Sequence, residues 1–268
     1  MHRFHFHSVS SFGRVLWALL VCATALAAED FAGYERLSRE QLLAKLAEGG
    51  AAPALTGKNL SGENLSGIDF RRANLSASVF NGAALDGAKL DGCNLTVSFL
   101  EGAKLSNASL REATLFSAQM AGAVLTHADL SGARLIGDLR RTDLSNATLT
   151  HMNAAADMRN QSMGLMRTNI VNAKAVGADL TDSDFSRADL SFTDFTRAKM
   201  IRTKLERADF SGSTLKGADL TGADLRDAVL IDADFTGANL TNADLTGAEF
   251  RGTKGLDTAT TTGTRGLP

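Results

Sequence analysis

Two consecutive five-residue units read Ala218-Asp219-Leu220-Thr221-Gly222 and Ala223-Asp224-Leu225-Arg226-Asp227, and this unit decides the fold of the chain. A large apolar residue returns at every fifth position from Leu55 to Leu135, and again from Leu165 to Phe250 with Ala175 as the exception. A straight strand alternates its faces and a straight helix scatters every fifth residue around its axis, so neither element buries them all. Each unit is therefore predicted to be a short extended segment followed by a corner, which makes the chain coil.

The other positions of the unit support a coil. The residue two before each large apolar residue is nearly always Ala, Ser, Thr or Cys, which places it on the same inner face. The remaining positions are rich in Asp, Asn, Thr, Arg and Gly, which suit water or a tight corner. Proline is absent between Pro53 and Pro268, as expected if the backbone N–H groups pair with neighbouring coils.

This run of Ala-Asp/Asn-Leu-Ser/Thr-Gly units resembles the pentapeptide repeat family over residues 55–250. The resemblance implies an all-β solenoid, a right-handed quadrilateral β-helix with four units per coil. It also implies that residues twenty apart lie above one another. Gyrase-protecting members of the family act in the cytoplasm and present a clearly acidic surface that resembles duplex DNA. The formal net charge of −2 does not match that surface, and no nucleic-acid partner is expected.

Residues 28–54 are predicted to cover the first coil. Ser38 and Gln41 have the spacing of a capping box, and Leu42, Leu43 and Leu46 form an apolar stripe on a short α-helix over about 39–48. An uncovered coil end would expose leucines and unpaired strand edges. The alternative is an exposed helix that recruits another protein.

Residues 1–27 have the pattern of a secretory signal peptide. Arg3 and Arg14 precede an apolar stretch, and Ala25-Leu26-Ala27 is a small-x-small cleavage pattern. The apolar stretch is too short for a comfortable membrane span. We therefore expect cleavage near Ala27, a periplasmic or secreted protein, and no transmembrane segment in the mature chain. Lipidation at Cys22 is the alternative.

Two segments depart from the repeat. Between Leu135 and Leu165 the apolar phase shifts by one residue at Leu139 and later returns, so residues 136–164 are predicted to contain a loop, bulge or bend. The Thr- and Gly-rich tail, residues 251–268, has little to bury and is predicted to be frayed or disordered.

The irregular segment contains a candidate interaction site of sulfur and imidazole side chains, which comprises His151, Met152, Met158 and Met163. Thioethers and imidazole bind copper, but methionines also fill irregular cores. A peptide-binding or dimerising bulge is the favoured functional interpretation, and a metal-dependent activity is a weaker alternative. The sequence contains no catalytic motif, and we assign no catalytic, metal-binding or cofactor-binding residue.

A second candidate site follows from the twenty-residue coil. Arg167, Arg187 and Arg207 are predicted to form one outward column. Asp189 and Asp209 follow two residues after the last two arginines and would screen them in water. Alternatively the column binds an anionic polymer or an acidic partner, because guanidinium groups recognise carboxylates and phosphates.

The sequence therefore predicts a non-enzymatic exported β-helical rod that serves as a protein-interaction or scaffolding module of the cell envelope. Its partner is an unidentified protein or a second copy, the latter through the carboxyl coils around Phe235 and Phe250. The alternatives are an anion- or glycan-binding module that uses the arginine column, and a metal-dependent activity at the Met/His segment.

Overall fold

The computed structural model describes residues 31–48, 50, 52–70, 72–156 and 166–268. The chain divides into two units, Met1–Tyr34 and Glu35–Pro268. In the first unit, Phe31 and Tyr34 close a turn, in which the Tyr34 N–H donates to the Phe31 carbonyl at 3.0 Å. Residues 1–27, expected to form the signal peptide, lie outside the described residues.

The second unit is a parallel β-helix with four short bridges per coil. Ala54, Asn59, Asn64 and Asp69 each pair in parallel with the residue twenty positions later, and the same spacing recurs in later coils. This confirms the predicted twenty-residue coil. In the described units from Leu55 to Leu245, the large apolar residue points to the common axis and is almost fully buried.

Each corner is a tight turn set by the unit itself. In the unit centred on Leu220, the Leu220 carbonyl accepts the Ala223 N–H at 2.9 Å, and Gly222 has a φ of +66°. These are the hydrogen bond and the left-handed residue of a type II turn, which explains the preference for Gly at this corner position. Asp219 Oδ1 accepts the Thr221 N–H at 3.0 Å and its hydroxyl at 2.5 Å. Asp and Thr therefore hold the unit on either side of its leucine.

The longer strands lie at the amino end and at the first break in the repeat. β1 (Glu35–Arg36) pairs in parallel with β2 (Lys58–Asn59), and α1 (Arg39–Glu48) lies between them in sequence. β3 (Thr114–Gln119) pairs in parallel with β4 (Arg134–Asp138). The remaining pairing in the described chain consists of isolated bridges.

Helix α1 covers the first coil as predicted. The Gln41 N–H donates to Ser38 Oγ at 3.3 Å, and the Ser38 N–H donates to Gln41 Oε1 at 2.8 Å, so the capping box is confirmed. Leu42 and Leu46 are buried, whereas Leu43 is 44% exposed and lies outside the buried stripe.

The predicted irregular segment contains two separate breaks with regular coil between them. The bridge spacing falls to 19 residues at Val124↔Asp143 and rises to 31 at Asp138↔Asn169. The first value reflects one deleted corner residue and the second an insertion of eleven residues. Ala154 is buried in the core, so the regular coil extends further than the leucine phase indicated. Much of the insertion, residues 157–165, lies outside the described residues.

The carboxyl end differs from the frayed tail that its composition predicts. Thr260 and Arg265 form parallel bridges with Asn239 and Asp244 of the preceding coil. The hydroxyl groups of Thr253 and Thr264 donate to the carbonyls of Leu230 and Leu240, at 2.8 and 2.7 Å. The tail therefore needs few apolar residues, because it is held by hydrogen bonds and closes the coil end with polar groups.

This last coil also changes the dimer prediction. Phe235 is fully buried, and Lys254 of the last coil pairs with its neighbour Asp234. Phe250 is partly buried against the core together with Leu256. Phe235 does not reach a coil end, so its ring cannot form the expected self-contact, whereas self-association through the carboxyl coils around Phe250 stays a prediction.

Cys93 occupies the small inner position of its unit and is fully buried. Burial raises the pKa of its thiol from 9.0 to about 12. The folded chain holds the thiol proton more tightly than the unfolded chain. The contribution of this neutral thiol to the free energy of unfolding is therefore complete below pH 9 and is lost as the pH rises towards 12. In a Cys22→Ser background, we expect Cys93 to react with a thiol reagent on unfolding and hardly at all in the native state. Cys93→Ala should reduce the alkaline loss of stability, measured by urea unfolding against pH.

Candidate interaction surface

The predicted arginine column exists in part, and carboxylates neutralise most of it. The Arg167 guanidinium lies 3.0 Å from Asp189 Oδ2, and Arg207 Nε lies 3.3 Å from Asp227 Oδ2. Arg187 and Arg207 occupy the same corner in consecutive coils, with φ values of +64° and +57°. Within the described residues, Arg187 has no ion pair. The column is therefore a mostly paired charge ladder with one unpaired member.

The structure does not bring the Met/His candidates to one site. His151 is exposed at a corner, with Nε2 3.8 Å from Asp182 Oδ2, and Arg202 binds the same carboxylate at 2.6 Å. Met152 points inward and is 1% exposed in the core. Met158 and Met163 lie outside the described residues. His151 and Met152 thus point to opposite sides of the coil wall, which contradicts a site built from both.

A surface that the sequence analysis missed lies at one corner of the early coils, and we call it the apolar corner. It consists of Val79, Val97, Phe99, Phe116 and Ile136. All five occupy outward positions of the unit, which elsewhere hold mainly Asn, Asp, Ser, Thr or Gly. These residues could have been recognised in the sequence, because most other units hold a polar residue or Gly at the same outward positions.

The five residues adjoin one another through the β-ladder. Val79 forms a parallel bridge with Phe99, and Phe116 of β3 is in register with Ile136 of β4. The Val97 N–H donates to the Phe116 carbonyl at 2.8 Å, which joins the two pairs. The five residues therefore lie next to one another on consecutive coils around one corner, where only Val97 and Phe116 keep partial exposure.

The backbone of the apolar corner is strained and irregular. Val97 has a φ of +58°, which is a true outlier for a β-branched residue. Ser117 is the bulged residue between the pairs Phe116↔Ile136 and Ala118↔Gly137, and its buried hydroxyl has no hydrogen-bond partner. The deleted residue lies opposite this bulge, and the insertion begins after Ala156 at the same corner one coil later. A positive φ recurs at this position of many units, so what distinguishes Val97 is its β-branched side chain in that conformation.

The apolar corner is also well shielded from solvent. Val79 is 0% and Phe99 is 7% exposed, whereas Val124 and Val229 occupy the same position of the unit and remain partly exposed. Phe116 and Val97 keep partial exposure. The Arg134 guanidinium carbon lies 5.8 Å from the centre of the Phe116 ring, within the range of a cation–π contact. Phe116 and Val97 thus form the accessible part of this surface.

The chain that returns from the insertion is held by Thr168. Its buried hydroxyl lies 3.0 Å from the Leu135 carbonyl and 2.7 Å from the Ala154 carbonyl, which belong to consecutive coils. We expect Thr168→Val to lower the free energy of unfolding by about 1–3 kcal/mol, because a buried hydrogen bond is lost. In Thr203→Val, the Leu180 carbonyl still accepts the Ser183 N–H at 3.2 Å, so the cost should be smaller. Chemical denaturation of both variants measures the difference, and an equal cost would contradict the bridging role.

A second outward apolar residue is isolated from the apolar corner. Phe192 is 62% exposed at a corner with a φ of +56°. Its ring lies against Gly212 of the next coil, where an added Cβ would fall 2.7 Å from ring carbons. Gly212 therefore makes room for the ring.

Relieving this corner should stabilise the protein. Asn172 occupies the same corner one coil earlier with a φ of +58°, a conformation that Asn tolerates. We expect Phe192→Asn to raise the free energy of unfolding by about 1 kcal/mol, since the left-handed penalty of the bulky residue is removed. Urea unfolding with an unchanged m-value is the measurement. A destabilised variant would show that the ring stabilises the fold instead.

Two kinds of feature are absent from the described residues. None of their helices is long and apolar enough to cross a membrane. They contain no group of three or more His, Cys, Asp or Glu side chains that could hold a metal ion.

Comparison with known proteins identified related repeats. The family model described as Pentapeptide repeats matches in eight copies, over residues 59–96, 99–132, 165–200, 194–231 and 218–254. These segments cover more than half of the chain. A search of curated protein sequences found no significant match.

Among solved structures, the chain is similar to HetL, a pentapeptide repeat protein involved in heterocyst differentiation regulation from Nostoc sp. strain PCC 7120. The identity is 30%, the match covers 85% of this chain and 98% of HetL, and the TM-score is 0.63. Full-length QnrB1, a plasmid-mediated fluoroquinolone resistance protein, matches at 18% identity over 80% of this chain and 91% of its own, with a TM-score of 0.33. Rfr23 from Cyanothece 51142 matches at 23% identity over 48% and 86%, with a TM-score of 0.24.

Proposed function

The chain belongs to the pentapeptide repeat family, and on that premise we propose that it is a non-enzymatic protein-interaction module whose docking surface is the apolar corner. Members of this family fold as right-handed quadrilateral β-helices and are generally structural or interaction modules. HetL is described as involved in the regulation of differentiation, a role that an interaction module serves. The partner we propose is a protein with an apolar contact face.

One observation carries this proposal. Five outward apolar residues of the early coils and both breaks in the repeat fall at one corner, whereas other outward apolar residues, such as Val171, Ile201 and Ile231, are scattered over the later coils. A solenoid that needed only stability would keep polar residues at these positions, because outward polar groups cost nothing in water. Val97 retains a strained backbone where Gly or Asn would be relaxed. The support is therefore the convergence of composition, strain and irregular topology on one surface.

The sequence pattern of residues 1–27 supports a proposal for the cellular location of this protein. Residues 1–27 have the charge, apolar stretch and cleavage pattern of a secretory signal peptide. We therefore propose that the mature protein acts in the periplasm or outside the cell, as an interaction or scaffolding module of the envelope. Detection of the mature amino terminus near Ala28 in an envelope fraction tests this part independently.

The arginine column is a less favoured surface. Arg167 and Arg207 are bound by Asp189 and Asp227, and breaking such pairs reduces what an anionic ligand gains. A contact through the column would weaken sharply with added salt, whereas apolar contact would not. Salt dependence thus separates the two surfaces.

The experiment compares three proteins in the envelope of the source organism by chemical cross-linking. These are the natural chain, the double variant Val97→Asn/Phe116→Ser, and the triple variant Arg167→Ser/Arg187→Ser/Arg207→Ser. The double variant places at each position a residue type that other units already hold there, so the fold should persist. We expect the partner captured by the natural chain to be lost in the double variant and kept in the triple variant.

The reverse pattern would overturn the assignment to the apolar corner. If the triple variant loses the partner and the double variant keeps it, the arginine column is the docking surface. Capture of copies of the same chain alone would replace the module by a self-associating structural rod. Circular dichroism of each variant establishes that loss of capture does not reflect loss of fold.

A further inference from the structure

The ring of Phe192 is the most exposed large apolar side chain of the described coils. It is 62% exposed, and Gly212 provides the space against which one side of the ring rests. An aromatic ring fixed in this way leaves its remaining surface in water. It therefore presents a preorganised platform, and its position on the backbone is fixed by inter-coil hydrogen bonds such as that from the Phe192 N–H to the Ser211 carbonyl at 2.8 Å.

Two aspartates, Asp194 and Asp209, lie on the two faces of the coil that meet at the Phe192 corner. Asp194 follows on one face of the coil, where it accepts hydrogen bonds from Thr196, and Asp209 lies on the other face, where it accepts from Ser211. In the described part of the chain, neither carboxylate has an ion pair, whereas nearby Asp189 is bound by Arg167 at 3.0 Å. Lys174 bridges to Asp194 through the backbone and is the nearest cation on that ladder. On the two ladders beside this corner of the described coils, the carboxylates without an ion pair, Asp194 and Asp209, thus outnumber the one adjacent cation, Lys174.

We propose that this corner, defined as Phe192, Gly212, Asp194 and Asp209, binds an arginine-containing segment of a partner protein. A guanidinium group stacks on an aromatic face and forms paired hydrogen bonds with carboxylates, and the corner offers both. Lysine binds less well, because its ammonium group is a strongly hydrated point charge without a planar face. The exposed ring selects against a purely electrostatic ligand, and the carboxylates select against a purely apolar one.

This binding site is separate from the apolar corner. The apolar corner comprises residues 79–136, and Phe192 lies in later coils at the next corner of the coil path. Either surface therefore functions or fails without the other.

The test titrates the full chain against fluorescein-labelled peptides with alternating Gly and Arg, Gly and Lys, or Gly and Gln, followed by fluorescence anisotropy. We expect affinity to decrease in that order. Phe192→Asn should weaken the arginine peptide about two- to fivefold, the range of an exposed cation–π contact. Asp194→Asn/Asp209→Asn should weaken it as well and should flatten its salt dependence. Leu43→Gln, which removes an exposed apolar side chain on α1, is the matched control and should bind as the natural chain does.

Two results would overturn the proposal. One is equal binding of the arginine peptide to the natural chain and to Phe192→Asn, which would remove the ring from the site. The other is equal binding of the arginine and lysine peptides, which would leave a nonspecific acidic surface. Absence of measurable binding of the arginine peptide to the natural chain would also refute it. Unfolding curves of each variant show that the changes arise in a folded protein.

Discussion

Replacing Phe210 by Ala should lower the free energy of unfolding by about 3–5 kcal/mol, the usual cost of truncating a buried aromatic residue. Phe210 is fully buried, and its ring centre lies 5.7 Å from that of Phe195 on the preceding coil. Protein interiors are close-packed, and the rigid ladder on each side limits collapse into the cavity. Equilibrium urea unfolding gives the value.

The matched control is Phe192→Ala, which removes the same ring from an exposed corner. We expect its effect to stay within about 0.5 kcal/mol, as for surface substitutions. Similar costs at positions 210 and 192 would contradict the inward and outward assignment of the repeat.

Because the stability of a solenoid is a sum of terms for each coil and for each contact between neighbouring coils, Leu245→Ala near the carboxyl end should unfold only the terminal coils.

Introducing Val at Gly137 should lower the free energy of unfolding by about 3 kcal/mol, the upper part of the range for overpacking. A Cβ at Gly137 would collide with the Ala118 carbonyl oxygen and lie 3.1 Å from its nitrogen. Strand propensity alone predicts the opposite sign, since Val suits β4 better than Gly does. The sign of the measured change in unfolding free energy therefore tests the close approach of Gly137 to the Ala118 backbone, beside the Ser117 bulge.

Gly102→Val is the control for this prediction. Gly102 has a φ of +63° and no atom within 4 Å of an added Cβ. Its cost should be limited to the left-handed backbone penalty, about 1–2 kcal/mol. A smaller cost for Gly137→Val than for Gly102→Val in chemical unfolding would refute the steric role of Gly137.

The fold was largely predictable because each five-residue unit determines its own corner through local residue types. The spacing of Leu220 and Leu225 defines a corner, and repetition of that corner generates the ladder without long-range information. The capping box at Ser38 and Gln41 is equally local. The carboxyl end was not predictable from apolar content, because Thr253 and Thr264 hold it through hydroxyl groups.

The surfaces were less predictable, because they depend on contacts between coils. The column of Arg187 and Arg207 follows from the period, but the partner of Arg207 is Asp227, twenty residues away. The apolar corner depends on β3 and β4 sharing one bulge, so that Phe116 and Ile136 adjoin. The phase shift located this break in the sequence without showing which outward residues it would bring together.

Docking of a protein at the apolar corner can be tested by site-specific photo-cross-linking. Phe116 is replaced by the photoreactive residue benzoylphenylalanine in the full chain, expressed in its source organism, with Val124 replaced likewise on another face as the control. We expect one discrete adduct from position 116 that persists at high salt, disappears with Val97→Asn, and is missing from position 124. No adduct from position 116, or the same adduct at equal yield from position 124, would contradict docking at the apolar corner.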